Sequence, residues 1–393
     1  MGNRKPGITG AREVRLGIIG LGAMGSAHAR SILAGQVPRL RLAALCDPDA
    51  GSLDFGREVK TFADSRELIR SGEVDAVLIA TPHYSHAAIG IDALEQGLHV
   101  LVEKPICVHK SDCERLIAAH RGPQVFAAMF NQRTDPFYQK IRALIQGGEL
   151  GEIRRVNWII TNWFRTEAYY ASGPWRATWA GEGGGVLLNQ CPHNLDLLQW
   201  LFGMPVSLRA FCRFGQYHQI EVEDDVTAYM EFKNGATGVF VTTTGEAPGT
   251  NRLEIAAERG KVVYENEQLA FTRNDVEMTA FSRATDLAFT APPARDVSIA
   301  VSGHGEQHIG ILKNFAEAIL DGTPLIAPAG EGIHSVELAN AMLYSTFTGE
   351  TVAMPLDGKA YERQLKKLIA SSKVKKKTPS RKASDADFAK SFK

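Results

Sequence analysis

Val14-Arg-Leu-Gly-Ile-Ile-Gly20-Leu-Gly22-Ala23-Met24-Gly25 decides how the rest of the chain is read. Residues 14–19 are short and apolar enough for a strand buried on both faces. The glycines that follow stand at the spacing G-x-G-x-x-G, and residues 26–33 continue as a helix. Each glycine has its own task in such a turn. Gly20 permits the tight reversal, Gly22 leaves room for a ligand to approach the backbone, and Gly25 lets the helix lie close on the strand. The helix N-terminus, at the glycines, offers unpaired N–H groups and the positive end of the helix dipole, which suits a phosphate.

A glycine-rich turn alone is a weak signal, and its surroundings strengthen it. A second apolar strand over 40–46 ends in Asp47, 22 residues beyond Gly25. A carboxylate there can accept from both hydroxyls of an adenosine ribose and repels a 2′-phosphate. Strand, glycines, helix, strand and acid in this order predict dinucleotide binding, with NAD favoured over NADP.

The alternation continues. Residues 61–62 read as a short strand, 65–71 as a helix, and 74–80 as an apolar strand ending in Thr81-Pro82-His83. A helix over 85–96 leads to the strand 98–102, which ends in Glu103-Lys104-Pro105. A helix over 110–120 and a strand over 124–130 follow, the latter ending at Asn131-Gln132-Arg133. Continuous apolar strands between helices predict a parallel sheet covered on both faces, with ligands at the carboxyl ends of the strands. Lys104 is delivered by one such end, beside a carboxylate, and is placed to act rather than to pack.

Beyond about residue 150 the pattern changes to longer strands with polar alternation, over 153–161, 206–217, 226–232 and 237–244. Lys233-Asn234-Gly235 and Glu258-Arg259-Gly260 read as hairpin turns. An antiparallel sheet open on one face, and so an α+β unit, is predicted. Helices return over about 305–320, 331–347 and 358–370. The expected division is a dinucleotide-binding domain at 13–133, an α+β substrate-binding and oligomerisation domain at 134–370, and a basic, disordered tail at 371–393.

Bulk properties fit this plan. A chain of 393 residues is too long for one ordinary core. With 44% apolar and 22% charged residues and zero formal net charge, nothing points to nucleic acid or a membrane surface as partner. The zero conceals an asymmetry. Residues 371–393 hold eight Lys/Arg against Asp385 and Asp387, a charge of +6, which leaves −6 for residues 1–370. Five cysteines, an odd number with no C-x-x-C pair, suit a reducing compartment. Neither a long apolar run nor an export signal is visible, so a soluble cytoplasmic protein is expected.

A second constellation lies between 158 and 202, which contains all five tryptophans. Trp163, Arg165, Tyr169 and Arg176 precede Gly183-Gly-Gly-Val-Leu-Leu-Asn189-Gln-Cys-Pro-His193. If helical from about 186, Asn189 and His193 share a face, although Pro192 is tolerated only in a first turn or at a kink. The aromatic cluster has two readings of equal weight. Tryptophans pack in cores, and aromatics interleaved with Arg and Asn also stack on the apolar faces of a sugar ring. His304 and His308 could suggest a metal pair, but no further ligand is apparent and a helix start explains them better, so no metal is expected. Cys191 has no partner that would make it a nucleophile.

Over residues 14–357 the sequence resembles the Gfo/Idh/MocA family of NAD(P)-dependent oxidoreductases. The resemblance rests on GLGAMG at 20–25, Asp47, ATPHYSHAAIGIDALEQGLHVLVEKP at 80–105, FNQR at 130–133, WR at 175–176, and GGGVLLNQCPHNLDL at 183–197. It implies a Rossmann domain followed by a domain built on a large, mostly antiparallel sheet, whose outer face commonly makes a homodimer or homotetramer. It also implies a sugar, sugar derivative or cyclitol as substrate. Lys104 matches the family's active-site lysine and His193 its usual acid/base. Asn189 stands where many members carry an aspartate. The residues matching His86, Glu103 and Arg176 lie around the cofactor, and Pro82-His83 replaces a frequent Pro-Asn.

The expected reaction is reversible oxidation of a ring secondary hydroxyl, with Lys104 and His193 at the reacting oxygen and a histidine pKa near neutrality. Asn189, Lys104, Trp163, Arg165 and Tyr169 are the expected substrate contacts. Gly20, Gly22, Ala23, Met24, Gly25, Asp47, Thr81, Pro82, His86, Glu103, Lys104, Asn131 and Arg176 are the expected cofactor contacts. The alternatives are an NAD-dependent glycosidase acting by transient oxidation, and a non-catalytic protein that binds NAD and sugar.

Overall fold

The computed structural model describes residues 12–49, 55 and 58–372. The basic tail, apart from Ser371 and Ser372, lies outside the described residues. Two sheets organise the chain, each with its own apolar core.

The first sheet is built from β1 (Val14–Ile19), β2 (Leu40–Cys46), β3 (Lys60–Phe62), β4 (Ala76–Ile79), β5 (His99–Val102) and β6 (Phe126–Ala128). Their order is β3-β2-β1-β4-β5-β6 and every pairing is parallel. The helices α1 (Ala23–Leu33), α2 (Ser65–Arg70), α3 (Ser85–Glu95) and α4 (Lys110–Ala119) make the crossovers. Leu16, Ile18, Leu78, Ile79, Leu101 and Val102 are fully buried, which is why these strands read as unbroken apolar runs. Strand order reverses at β1, so the ligand crevice of such a sheet opens between the ends of β1 and β4. Helix α1 starts at Ala23, three residues earlier than the sequence suggests, because Gly22 itself caps it.

The second sheet follows α5 (Pro136–Gln146). Its strands are β7 (Ile153–Ile160), β8 (Ser207–Phe214), β9 (Glu223–Glu231), β10 (Thr237–Thr243), β11 (Asn251–Ala257), β12 (Gly260–Glu265), β13 (Gln268–Asn274), β14 (Ala294–Val297) and β15 (Val352–Ala353). The order is β14-β13-β12-β11-β7-β10-β9-β8-β15, antiparallel except between β7 and β10. Strand β8 stops at Phe214, three residues short of expectation. Gly215 turns at φ +56°, and the Asp224 carboxylate collects the N–H groups of Gln216, Tyr217 and His218.

One face of this sheet is covered by α7 (Pro192–Phe202) and α10 (Gly332–Thr348), over Trp158, Ala210, Ala228 and Phe240. The short helices α6 (Glu167–Tyr170) and α8 (Met278–Ala284) lie in the connections. The opposite face carries Phe211, Thr227, Val241, Ile159 and Arg252 in one cross-strand row. Phe211 there is 60% exposed.

The chain then returns to the first core. Helix α9 (Gln307–Asp321) inserts Ile311, Leu312 and Phe315 among the side chains of β1 and β2, and Ala128 N–H donates to Ala327 O at 3.0 Å. The last helix, α11 (Gly358–Ser371), is capped by Asp357 and buries Tyr361 and Leu365. Among the described residues no helix is long and apolar enough to cross a membrane.

Candidate active site

The glycine turn has the three expected roles. Gly20 sits at φ +95°, and a Cβ on it would meet Ala80 and Thr81 backbone at 2.7 Å. A Cβ on Gly25 would lie 1.8 Å from Gly20 O, whereas nothing stands within 4 Å of one on Gly22. Helix α1 has neither a side-chain cap nor an acidic residue in its first turn, so its leading N–H groups, at Ala23 and Met24, are available to an anion. Asp47 accepts from Leu21 N at 2.8 Å and Asp49 N at 3.0 Å, tying the end of β2 to the turn. Each carboxylate oxygen keeps further acceptor capacity. Across the crevice the Thr81 hydroxyl is buried without a partner and Pro82 is exposed beside it. An open uncapped helix terminus, a carboxylate at the ribose position and an unpartnered hydroxyl fit a dinucleotide.

Lys104 follows β5 directly. Glu103 turns away from it: its carboxylate pairs with His28 Nε2 at 2.7 Å and also accepts Lys104 N–H at 3.2 Å. Burial alone would raise the Glu103 pKa. The hydrogen bond and charge of His28, with His308 and Lys104 behind, bring it down to about 2. The His28 and His308 rings lie 5.6 Å apart. The Lys104 ammonium donates to Asn189 O at 2.8 Å. Burial lowers its pKa and Arg176 and Arg165 push the same way, while Glu103 and Glu182 oppose them.

His86 is fully buried, with Nδ1 at 2.9 Å from Pro105 O and Nε2 at 2.8 Å from Thr81 O. Both nitrogens are thus engaged by backbone, and the ring braces the ends of β4 and β5 from behind. Its place behind the strand ends is that of a residue shaping the crevice wall, with both ring nitrogens next to backbone carbonyls. Asn131 donates to Gln307 at 2.8 Å and keeps an unpartnered buried carbonyl oxygen.

The glycine triplet leads into irregular turns, and the helix begins only at Pro192, which occupies the first turn where its missing N–H costs nothing. Asn189 and His193 therefore do not share a helix face, which corrects the sequence expectation. The turn is held from below by Glu223, whose carboxylate accepts from Gly185 N at 2.8 Å and Leu187 N at 3.0 Å. A Cβ on Gly185 would sit 1.9 Å from Glu223 O, so the approach requires glycine.

Asn189 presents its backbone oxygen to Lys104 and its side chain elsewhere. Its amide donates to Glu182, and its carbonyl accepts from Tyr169 OH at 3.4 Å. Glu182 is 2% exposed and lies 3.7 Å from the Arg176 guanidinium. The Tyr169 hydroxyl also accepts from Arg176 at 2.8 Å and from Gln190 at 3.1 Å. A carboxylate therefore stands one residue contact behind Asn189.

His193 is 8% exposed, and its Nδ1 is buried without a partner. Burial first, and then the charge of Lys104, hold its pKa well below the ordinary histidine value. The shift favours the neutral imidazole, away from the near-neutral pKa expected from the sequence, because the ring is buried and the charge of Lys104 is close.

The aromatic cluster divides. Trp158 and Trp179 belong to the second core. Trp163 and Trp175 are half-buried, the first bonded to Asn194 at 3.3 Å and the second edge-on to His83 at 5.9 Å. Arg165 lies over the rings of Trp163 and Tyr169, at 5.6 and 5.2 Å. His304 is exposed and faces Glu267, whereas His308 turns inward to His28, so the two are not a pair. Sequence reasoning passes over Glu182 and His28, and it reads His308 only beside His304 and not as a neighbour of His28. The available signals are an acid directly before a glycine triplet and a histidine three residues after Gly25 on the same helix.

Two family models match, the "Oxidoreductase family, NAD-binding Rossmann fold" over residues 14–129 and the "GFO/IDH/MocA C-terminal domain" over 138–263. The chain is 29% identical over 200 residues to inositol 2-dehydrogenase 1 of Saccharopolyspora erythraea, a match covering 49% of this chain and 56% of that protein. It is 25% identical over 351 residues to inositol 2-dehydrogenase 2 of Paenarthrobacter aurescens, covering 86% and 97%. The solved structure of the WlbA dehydrogenase from Chromobacterium violaceum, in complex with NADH and UDP-GlcNAcA, superposes with a TM-score of 0.76 at 25% identity, over 90% of this chain and 99% of that one. Glycine turn, six-stranded parallel sheet and mixed second sheet are thus matched in both halves, and the chain belongs to the Gfo/Idh/MocA family of oxidoreductases.

Proposed function

We propose that this protein is an NAD-dependent dehydrogenase that reversibly oxidises a ring secondary hydroxyl of a sugar, glycoside or cyclitol. One observation carries the reading. Lys104 at the end of β5 donates to Asn189 O in the turn before α7, its charge is felt at His193 in the first turn of α7, and the uncapped start of α1 stands at the carboxyl end of the same parallel sheet. The dehydrogenases among the relatives support it.

Gly20, Gly22, Ala23, Met24 and Gly25 would hold the pyrophosphate and Asp47 the adenosine ribose. Thr81, Pro82 and Asn131 would border the nicotinamide end, with Glu103 and Arg176 setting the charge around it. When bound, NAD supplies a two-electron acceptor for the hydride that leaves the carbinol carbon. His193 takes the hydroxyl proton as the C=O bond forms: held neutral it has the open nitrogen the step needs, and because burial makes it a weak base the transfer relies on Lys104 meeting the developing alkoxide charge. Lys104 keeps two N–H donors beyond the one used by Asn189 O, and these stabilise the developing alkoxide. Asn189 and Tyr169, with Trp163 and Arg165 alongside, orient the ring. Asp47 disfavours a 2′-phosphate, so NAD is preferred. The exposed row on the second sheet supports a homodimer or homotetramer through that face.

The test is turnover by Lys104→Ala and His193→Ala across free aldoses, glycosides, sugar acids and inositols, with NADP run alongside. Both variants should bind NAD within a few-fold and lose about 100- to 10,000-fold in kcat/KM. Wild-type turnover in both overturns the assignment. Glycoside cleavage without NADH accumulation would move the reading to an NAD-dependent glycosidase, and binding of both ligands without reaction to a non-catalytic protein.

A further inference from the structure

Arg165 lies in an irregular stretch between β7 and α6, yet its backbone is fixed on both sides. Its N–H donates to Thr244 O at 2.9 Å, and its carbonyl faces His218 Nε2 at 2.9 Å. His218 is itself held by Asp224 at 2.9 Å, and Asp224 also takes three backbone N–H groups. A loop anchored this firmly presents its side chain in one place, and a preorganised guanidinium loses little entropy on binding.

Among the described residues that guanidinium has no counter-ion. Its Nε is buried without a hydrogen-bond partner, Nη1 donates to the neighbouring Phe164 O at 2.9 Å, and the guanidinium also acts on the Tyr169 hydroxyl, so the polar groups it meets are uncharged. Among the described residues no carboxylate lies within 4.0 Å of it. The nearby acids are committed elsewhere: Glu167 accepts from Gln219 N at 3.0 Å, Glu246 from Thr161 at 2.8 Å, and Glu182 takes Asn189 and Arg176. Leaving a buried N–H of a cation unpaired is costly, so a site that keeps one is shaped for an anionic ligand. Arg165 stacks on Trp163 and Tyr169, the latter bonded to Asn189, and its charge is felt at Lys104.

We infer that the substrate carries a carboxylate, bound by the Arg165 fork at the Trp163–Tyr169 edge of the crevice: a sugar acid or uronate-type ring rather than a neutral sugar. A single guanidinium matches one planar carboxylate in a bidentate pair. The other cations are occupied, Lys104 by Asn189 O and the reacting oxygen, and Arg176 by Tyr169 and Glu182. A phosphate dianion would therefore find only one partner. The inference rests on the dehydrogenase reading for the crevice, not for the anion contact itself.

The experiment compares D-glucose with D-glucuronate and D-galactose with D-galacturonate, adding glucose 6-phosphate, by NAD reduction and by calorimetric binding to the NADH-loaded protein. Wild type should favour the acid of each pair by about tenfold or more in kcat/KM and in affinity. Arg165→Ala should bring the acid-to-neutral ratio to about one, and Arg165→Lys should restore part of it, since a point charge replaces a fork. Equal or better use of the neutral sugars, preference for the phosphate, or an Arg165→Ala effect that leaves the ratio unchanged would overturn the inference. Tighter binding of the uronates with no NADH formed from any sugar would uphold the anion site while failing the dehydrogenase reading.

Discussion

At the scale of single residues the distribution of charge around Lys104 is the informative quantity. Asn189 is neutral, yet Glu182 reaches the same corner through its amide, and Glu182 opposes the fall in the lysine's pKa. A carboxylate near an ammonium favours the charged form. In Glu182→Gln the Lys104 pKa should drop further, so the alkaline limb of kcat/KM should move to lower pH, and in Asn189→Asp to higher pH. A pH–rate profile identical to wild type in both variants would remove Glu182 from the proton chemistry. The two variants separate this from a folding defect, because a merely structural role shifts activity without moving the limb. Lys104 and His193 are legible in the sequence because a strand end and a glycine triplet mark them. Glu182 is not, since its meaning depends on Asn189 folding back seven residues later and on Arg176 closing over it. His28 is silent for the same reason: its partner Glu103 lies 75 positions away.

At the scale of elements, the turn that carries Asn189 rests on Glu223. This side chain is fully buried, and one of its oxygens has no partner. Burial pushes its pKa up to about 7, against the pull of the two backbone N–H groups. The fold therefore binds a proton that the unfolded chain has released above the ordinary glutamate value near 4.5. Its protonated form stabilises the fold at and below that value. As pH rises from there through about 7 the contribution is lost, amounting to roughly 3 kcal/mol by linkage. Urea unfolding at pH 5 and pH 8 should show this fall in wild type and lack it in Glu223→Gln. The same slope in both would assign it to other groups. Elements differ in legibility for a physical reason. The β1–α1–β2 unit closes over neighbouring residues, so propensity, glycines and Asp47 agree. Strand β14 has the sequence Ala-Arg-Asp-Val and no fully buried residue, so it carries no alternation to read and exists only because β13 offers an edge. The start of α7 was obscured by the apolar run Val186-Leu187-Leu188, which packs in the core without being helical.

At the scale of the whole molecule, Phe211, Val241 and Ile159 bring apolar surface onto an open sheet face, with Phe211 60% exposed, and such surface asks for cover. Light scattering at micromolar concentration should return a dimer or tetramer, and Phe211→Glu, at the centre of β8, should shift it toward monomer. A wild-type monomer at these concentrations would remove the proposal. A different consequence follows from the path of α9. The first core contains residues of β1 to β6 and also Ile311, Phe315, Ala327 and Val336 from far downstream. Exchanging ring-recognition parts between relatives therefore cannot be done with one crossover after β6, because such a chimera would bring a foreign α9 against a native β1. A cassette with two seams, one between Thr134 and α5 and one ahead of α9, keeps the nucleotide half intact but sets a native α10 and β15 against a foreign β8 and α7, so those faces have to be matched as well.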